Sequence, residues 1–262
     1  MNNRYFLQLS YFGKSFSGWQ RQENAATVQG TLEEALTVVL GMSVQVVGCG
    51  RTDTGVHAGT FVAHFDFHEL DVAKLKYQLN GILGSDIAIR KIFHVQSSLH
   101  ARFSAERRAY TYHVVGEKPV FYKDLTWYLT YFDRMDWSKV QEFARLLESF
   151  EQFKPFCKTN SGVDNYRCER LKCNWNINVS DKVAIFEIES NRFLRGMVRL
   201  IVGTSMLIGS GKLALDSVVR SLETQSPLEK TFSAPAEGLF LSRIKYPDFE
   251  TDSKISHLPN SF

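Results

Sequence analysis

The chain has 262 residues, 44% of them hydrophobic, which suits one large α/β or α+β domain or two smaller ones and excludes a disordered chain. The formal net charge of +3 is weak evidence for a nucleic-acid partner, although phosphate binding asks for a local basic surface rather than a large total. Phe, with 20 copies, and Tyr, with 10, supply mostly core, and composition does not show which of them serve as stacking platforms.

The first predicted element is a strand over Arg4–Tyr11. Thr27 is placed to cap a helix carrying Val28, Leu32, Leu36, Val39 and Leu40, which Gly41 ends. Ser43–Gly48 reads as a short strand, and a turn-rich stretch follows over Gly50–Gly59. Phe61, Ala63, Phe65 and Phe67 alternate with Val62, His64 and Asp66, the pattern of a strand with one firmly buried face. Asp71 caps a helix with Val72, Leu75 and Leu79, and Ile87–Phe93 is another strand. The second half repeats the order. Arg107–Val115 is a strand, and Asp136 caps a helix with Trp137, Val140, Ala144 and Leu147. Leu171–Val179 and Lys182–Glu189 are strands joined by the turn Ser180–Asp181. A helix runs from about Phe193 to Ile208, a shorter one over Leu215–Leu222, and a last strand over Leu239–Tyr246.

The expected class is α+β: two ferredoxin-like (β-α-β-β-α-β) halves with mostly antiparallel sheets, joined around a central active-site cleft. The first half spans 1–105 and the second 106–262. The polar stretches Thr159–Arg170 and Pro247–Phe262 read as surface segments. Cys49, Cys157, Cys168 and Cys173 form neither a CxxC pair nor a zinc spacing, so they read as free thiols in a reducing compartment, with no metal. The opening MNNRYFLQLSYFG lacks signal-peptide features, and no stretch approaches the roughly 20 apolar residues of a membrane span. A cytoplasmic protein without a membrane partner is expected.

The chemistry concentrates in Gly48–His57, G-C-G-R-T-D-T-G-V-H. Its glycines permit positive φ and close approach of another molecule. A loop between two strands can aim Asp53 into a cleft as nucleophile or base, with Arg51 as ion-pair partner or phosphate contact. The same residues also suit a plain turn in which Asp53 bonds to nearby backbone N–H groups. The loop is neither a dinucleotide site nor a P-loop, and the second Asp-Thr-Gly of an aspartic protease is absent.

Gly50-Arg51-Thr52-Asp53-Thr54-Gly55-Val56-His57-Ala58 resembles the signature of the tRNA pseudouridine synthase A family, close to G-R-T-D-x-G-V-H-A. Tyr11-x-Gly13-x-x-Phe16-x-Gly18-Trp19-Gln20 is similar to the family's opening motif, and Thr27-Val28-Gln29 to the start of its first helix. His100-Ala101-Arg102-Phe103 and Arg108-Ala109-Tyr110 resemble its middle motifs. Phe193-Leu194-x-x-Met197-Val198-Arg199 with Ile201-Val202-Gly203 resembles its late helix, and Ala234-Pro235-Ala236-x-Gly238-Leu239 its closing motif. Thr54, Gly196 and Leu200 depart from the pattern without removing a catalytic candidate.

The resemblance implies isomerisation of uridine to pseudouridine at positions 38, 39 and 40 of the tRNA anticodon arm, by a homodimer that needs no cofactor. It gives Asp53 the catalytic role, with Arg199 as its ionic partner and Tyr110 stacking on the flipped uracil or assisting proton transfer. Arg51 would fill the gap left by the flipped nucleotide or hold its phosphate. Arg102, Arg107, Arg108 and Arg195 are the main candidates for binding tRNA, and Arg167, Arg170, Lys172 and Arg192 extend that footprint. No DNA partner is implied. A synthase for another RNA, a non-catalytic RNA-binding module and a hydrolase using Asp53 as a base are the competing readings.

Overall fold

Three of the helices begin where a capping side chain stands. The Thr27 hydroxyl accepts the Gly30 N–H ahead of α1 (Val28–Leu40), whose end is turned by Gly41 at φ 73°. Asp71 accepts from Ala73 and Lys74 ahead of α2 (Val72–Ile82), and Asp136 accepts from Lys139 ahead of α3 (Trp137–Leu147). The protein is seen here in a computed structural model that describes residues 3–158, 162 and 164–252. It is a mixed α/β fold that separates into two compact units. One comprises the described residues of Met1–Glu106 and Phe240–Ser256, the other those of Arg107–Leu239.

In the first unit β1 (Asn3–Tyr11) lies antiparallel between β3 (His57–Phe67) and β4 (Ile87–Val95). The outer edge of β3 is shared. β2 (Val47–Gly48) pairs antiparallel at His64 and Ala63, while β9 (Leu239–Lys245) pairs parallel at His57 and Ala58. β10 (Glu250–Asp252) adds to β9. The closing strand therefore returns to the first sheet, whereas the sequence order placed all of 106–262 in a second half.

Three further expectations are corrected here. Only Val47 and Gly48 of Ser43–Gly48 pair as strand, because the Val46 backbone is taken by helix side chains. Its N–H donates to Glu33 and its carbonyl accepts from Gln29. β3 is buried on both faces rather than one. On one side Tyr11 and Trp19 pack on Phe61; on the other, Phe6 packs with His64, Phe93, Tyr246 and Phe249. Phe249 belongs to the polar stretch expected to be a surface tail. Residues 253–262 of that tail lie outside the described residues.

In the second unit β5 (Arg107–Val115) and β7 (Lys172–Asn178) flank β8 (Val183–Ser190) antiparallel, and β6 (Trp127–Tyr128) runs parallel beside β5. α4 (Met197–Gly209) packs against α3, and α5 (Leu215–Thr224) follows it. Every residue of α4 except Arg199 is buried, as so largely apolar a helix requires. The helix starts at Met197, not Phe193, because Gly196 adopts φ 70°, incompatible with a right-handed turn. Of Thr159–Arg170, residues 159–161 and 163 lie outside the described residues. The rest is not simply surface: Cys168 is fully buried, and its N–H donates to the Glu151 carbonyl. Among the described residues no helix is long and apolar enough to cross a membrane.

Each unit buries a histidine in a strand. Burial lowers His64 of β3 and His113 of β5 from 6.5 to about 4. At His64 the nearby Arg4 adds to the shift, and the Ala101 N–H donates to the neutral Nδ1. A depressed folded-state value means that stability is whole above 6.5 and is lost as pH falls toward 4, where the unfolded chain takes the proton first. Moving from pH 7 to pH 5 should therefore cost about 2 kcal/mol per histidine. Denaturant melts at the two pH values measure this. His64→Gln should remove close to half of the pH dependence, and an unchanged slope would mean that His64 does not carry it.

Candidate active site

The loop carrying Asp53 is fixed by the segment that follows β1. Gly18 stands at φ 86°, and a Cβ there would lie 2.4 Å from the Thr52 carbonyl oxygen. A Cβ on Gly13 would lie 2.0 Å from the Val56 carbonyl oxygen. Two glycines thus let the opening segment lie directly against the backbone on both sides of Asp53. Hydrogen bonds lock the contact. The Trp19 N–H donates to the Thr52 carbonyl at 3.3 Å, and Gly55 donates to Phe16 at 3.3 Å. The Tyr11 and Thr52 hydroxyls bond at 2.8 Å. Val56 donates to the Asp53 carbonyl at 3.1 Å, closing a turn that Gly55 completes at φ 78°. Asp53 is left half-buried, while Arg51 is exposed.

His57 anchors the loop's exit. Its Nδ1 accepts the Gly13 N–H at 2.9 Å, and its ring lies between Phe12 and Phe240, with centroids at 4.8 and 4.7 Å. The accepting nitrogen must be unprotonated for this bond. Arg102, the other candidate of this unit, is exposed on the turn between β4 and β5.

The second unit holds Arg107, Arg108, Tyr110, Arg195 and Arg199. The first three and the chain leading into α4 collect at one end of the β5–β8 pair. The Tyr110 ring meets Phe193 edge-on at 5.2 Å, and Arg108 donates to the Asn191 carbonyl at 2.8 Å. Arg107 forms an ion pair with Glu189 across the strands. A phosphate at Arg107 would compete with that carboxylate. Arg195 is exposed.

Arg199 is held from both ends. Its Nε donates to the Ala234 carbonyl at 2.7 Å, and the Ala234 N–H donates back to the Arg199 carbonyl at 2.9 Å. Gly203, one turn on, would put a Cβ 1.8 Å from the Phe232 carbonyl oxygen, so only glycine lets the chain cross α4 this closely. The buried Tyr112 hydroxyl donates to the next carbonyl, Pro235, at 2.8 Å. Burial, with Glu237 nearby, raises its pKa well above 10 against the opposing charge of Arg199, so the phenol is a neutral donor. Gly238 lies against the Tyr112 ring, where a Cβ would approach to 2.7 Å. Late and closing motifs are thus one packed object that fixes the plane of the Arg199 guanidinium.

A family described as tRNA pseudouridine synthase matches residues 144–247. The tRNA pseudouridine synthase A of Azobacteroides pseudotrichonymphae genomovar. CFP2 is 39% identical over 248 residues, covering 94% of this chain and 98% of that protein. Its namesake in Bacteroides thetaiotaomicron is 37% identical over 259 residues, 97% of this chain and 96% of the relative. A more divergent one, from Thermoanaerobacter sp. (strain X514), is 35% identical over 244 residues, 92% and 98% of the two chains. The chain belongs to the tRNA pseudouridine synthase A family.

Membership accounts for the motifs as a set, and the packing explains why they occur together. Sequence reading did not assign a role to Gly13, Gly18, Gly203 or Tyr112. Their signal was present as glycines inside motifs, but the partners they approach are remote in sequence. His64 was read only as a strand residue, and Phe103 only as part of a motif.

Proposed function

We infer that the protein converts uridine to pseudouridine at positions 38, 39 and 40 of the tRNA anticodon arm, as a cytoplasmic homodimer. The carrying observation is the Asp53 loop, pressed between backbone contacts at Gly13 and Gly18 in a chain matched over 94% of its length by a tRNA pseudouridine synthase A. In this reading each unit is a ferredoxin-like variant, and Asp53, Tyr110 and Arg199 act together on one uridine.

The reaction breaks the N1–C1′ bond and forms C5–C1′. The proton lost from C5 is balanced by one gained at N1, so no water, cofactor or second substrate is consumed. Asp53 serves as nucleophile or as base, and Arg199 keeps it ionised and oriented. Tyr110 stacks on the extruded uracil or assists the proton at C5. Arg51 takes the space or the phosphate of the flipped nucleotide. Arg102, Arg108 and Arg195 add phosphate contacts, and Arg107 does so at the expense of its ion pair.

The test is an unmodified tRNA transcript with uridines at 38 to 40, mapped by carbodiimide labelling and primer extension. Pseudouridine confined to those positions is expected. Pseudouridine elsewhere would reassign the target, and none from a folded protein that binds the transcript would leave an RNA-binding module. Light scattering at micromolar concentration should give twice the monomer mass, and a monomeric mass overturns the dimer.

A further inference from the structure

The turn that joins β4 to β5 is held more firmly than an exposed turn requires. Arg4, paired with Asp66, donates to the carbonyls of Ser97 and Leu99, each at 2.9 Å. The Ala101 N–H donates to His64 Nδ1 at 3.2 Å, and the Tyr246 hydroxyl donates to the Ala101 carbonyl at 2.6 Å. His100 Nδ1 accepts from the N–H groups of both Arg102 and Phe103, at 3.1 and 3.2 Å. Ser104 closes the turn, its Oγ accepting the His100 N–H at 2.9 Å. Side chains from β1, β3 and the segment after β9 therefore hold the backbone at Ser97, Leu99 and Ala101. The side chains this framework sends outward are Arg102, which is exposed, and Phe103, which is 76% exposed.

A phenyl ring left in water on a rigid backbone gives no burial to the fold. What it offers is a flat apolar face at low entropic cost. Its inner side rests on His100, with centroids 4.4 Å apart, and the Arg102 guanidinium sits 5.6 Å from the ring centroid. A preorganised ring that already attracts a cation over it matches a nucleobase and its neighbouring phosphate.

We propose that Arg102 and Phe103 form a stacking platform for an unpaired base of the RNA, at a distance from the reacting uridine. The spacing supports the second clause. His64, which holds the turn, is seven residues along β3 from His57, which holds the Asp53 loop, or roughly 23 Å of strand. The base on Phe103 is thus a docking contact and not the substrate. This inference rests on the reading of the partner as tRNA but not on the reaction.

The experiment compares wild type with Phe103→Ala, Phe103→Trp and Arg102→Ala on full-length tRNA. Binding is measured across a salt series, and kcat and KM are taken for product. Phe103→Ala should weaken binding roughly five- to hundredfold, the range of one stacked base, with an unchanged salt slope and an unchanged kcat at saturation. Arg102→Ala should weaken binding and lower the slope by about one. Phe103→Trp should bind like wild type and show an added quench of tryptophan fluorescence when tRNA is bound. Wild-type affinity in Phe103→Ala, or no added quench in Phe103→Trp, overturns the platform. A changed mass in light scattering for Phe103→Ala does so as well, since it would make the patch a protein contact. Loss of affinity in Phe103→Ala with a wild type that forms no pseudouridine would uphold the platform and sink the reaction instead.

Discussion

Asp53→Asn should lower kcat by at least about 10³-fold while leaving tRNA affinity within roughly threefold. The substitution keeps the shape of the side chain and removes its charge and basicity. Three of the bonds that hold the loop do not involve that carboxylate. Val56 donates to the Asp53 carbonyl, Trp19 to the Thr52 carbonyl and Gly55 to Phe16, all through backbone atoms. A folded, tRNA-binding and inactive variant is therefore the expected result, read by primer extension and by a binding isotherm on the same preparation. Pseudouridine formed at more than a few per cent of the wild-type rate would move the catalytic role to another residue.

The second large effect lies outside the reacting groups. Gly18→Ala should lower kcat/KM by about 10²-fold or more, because its methyl must displace the Thr52 carbonyl, the atom group next to Asp53, and a shift near 1 Å is costly at a reacting centre. Positive φ alone would also strain an alanine, so a control is needed. Gly41 stands at φ 73° with nothing within 4 Å of a Cβ, and its exchange for alanine carries the backbone strain without the collision. Gly41→Ala should cost about 1 kcal/mol of stability and leave the rate unchanged. Comparing the two variants at equal folded fraction isolates the contact. Equal activity in both would show that the opening segment does not set the position of Asp53.

Local chemistry was legible in the sequence because it is local. Thr27, Asp71 and Asp136 each cap within three residues, so the starts of α1, α2 and α3 could be read directly. The bounds of β5 were equally plain from its apolar and aromatic run. The failures share a cause. The start of α4 depends on Gly196 taking a left-handed conformation within an apolar stretch that reads as helix. Ser43–Val46 has strand-like residues, but Glu33 and Gln29 occupy the Val46 backbone. The destination of β9 is set by pairing with β3 across more than 180 residues, which no periodicity records, and β10 in turn builds on β9. The candidate site divides in the same way. The loop itself could be read from ten residues, whereas the surfaces that aim it, at Gly13, Gly18 and Phe240, are separated along nearly the whole chain.

The return of β9 to the first sheet has a consequence for biosynthesis. While the ribosome is making the first 239 residues, the opening sheet lacks the strand that pairs His57 and Ala58, and the His57 ring lacks the Phe240 face against which it rests. The edge of β3 at that end stays unpaired until β9 has been made, with the hazards an open edge carries. The Asp53 loop therefore acquires the support of Phe240 only once β9 has emerged. A nascent chain stalled before that point holds every residue of the G-R-T-D-T-G signature and still lacks a finished Asp53 loop.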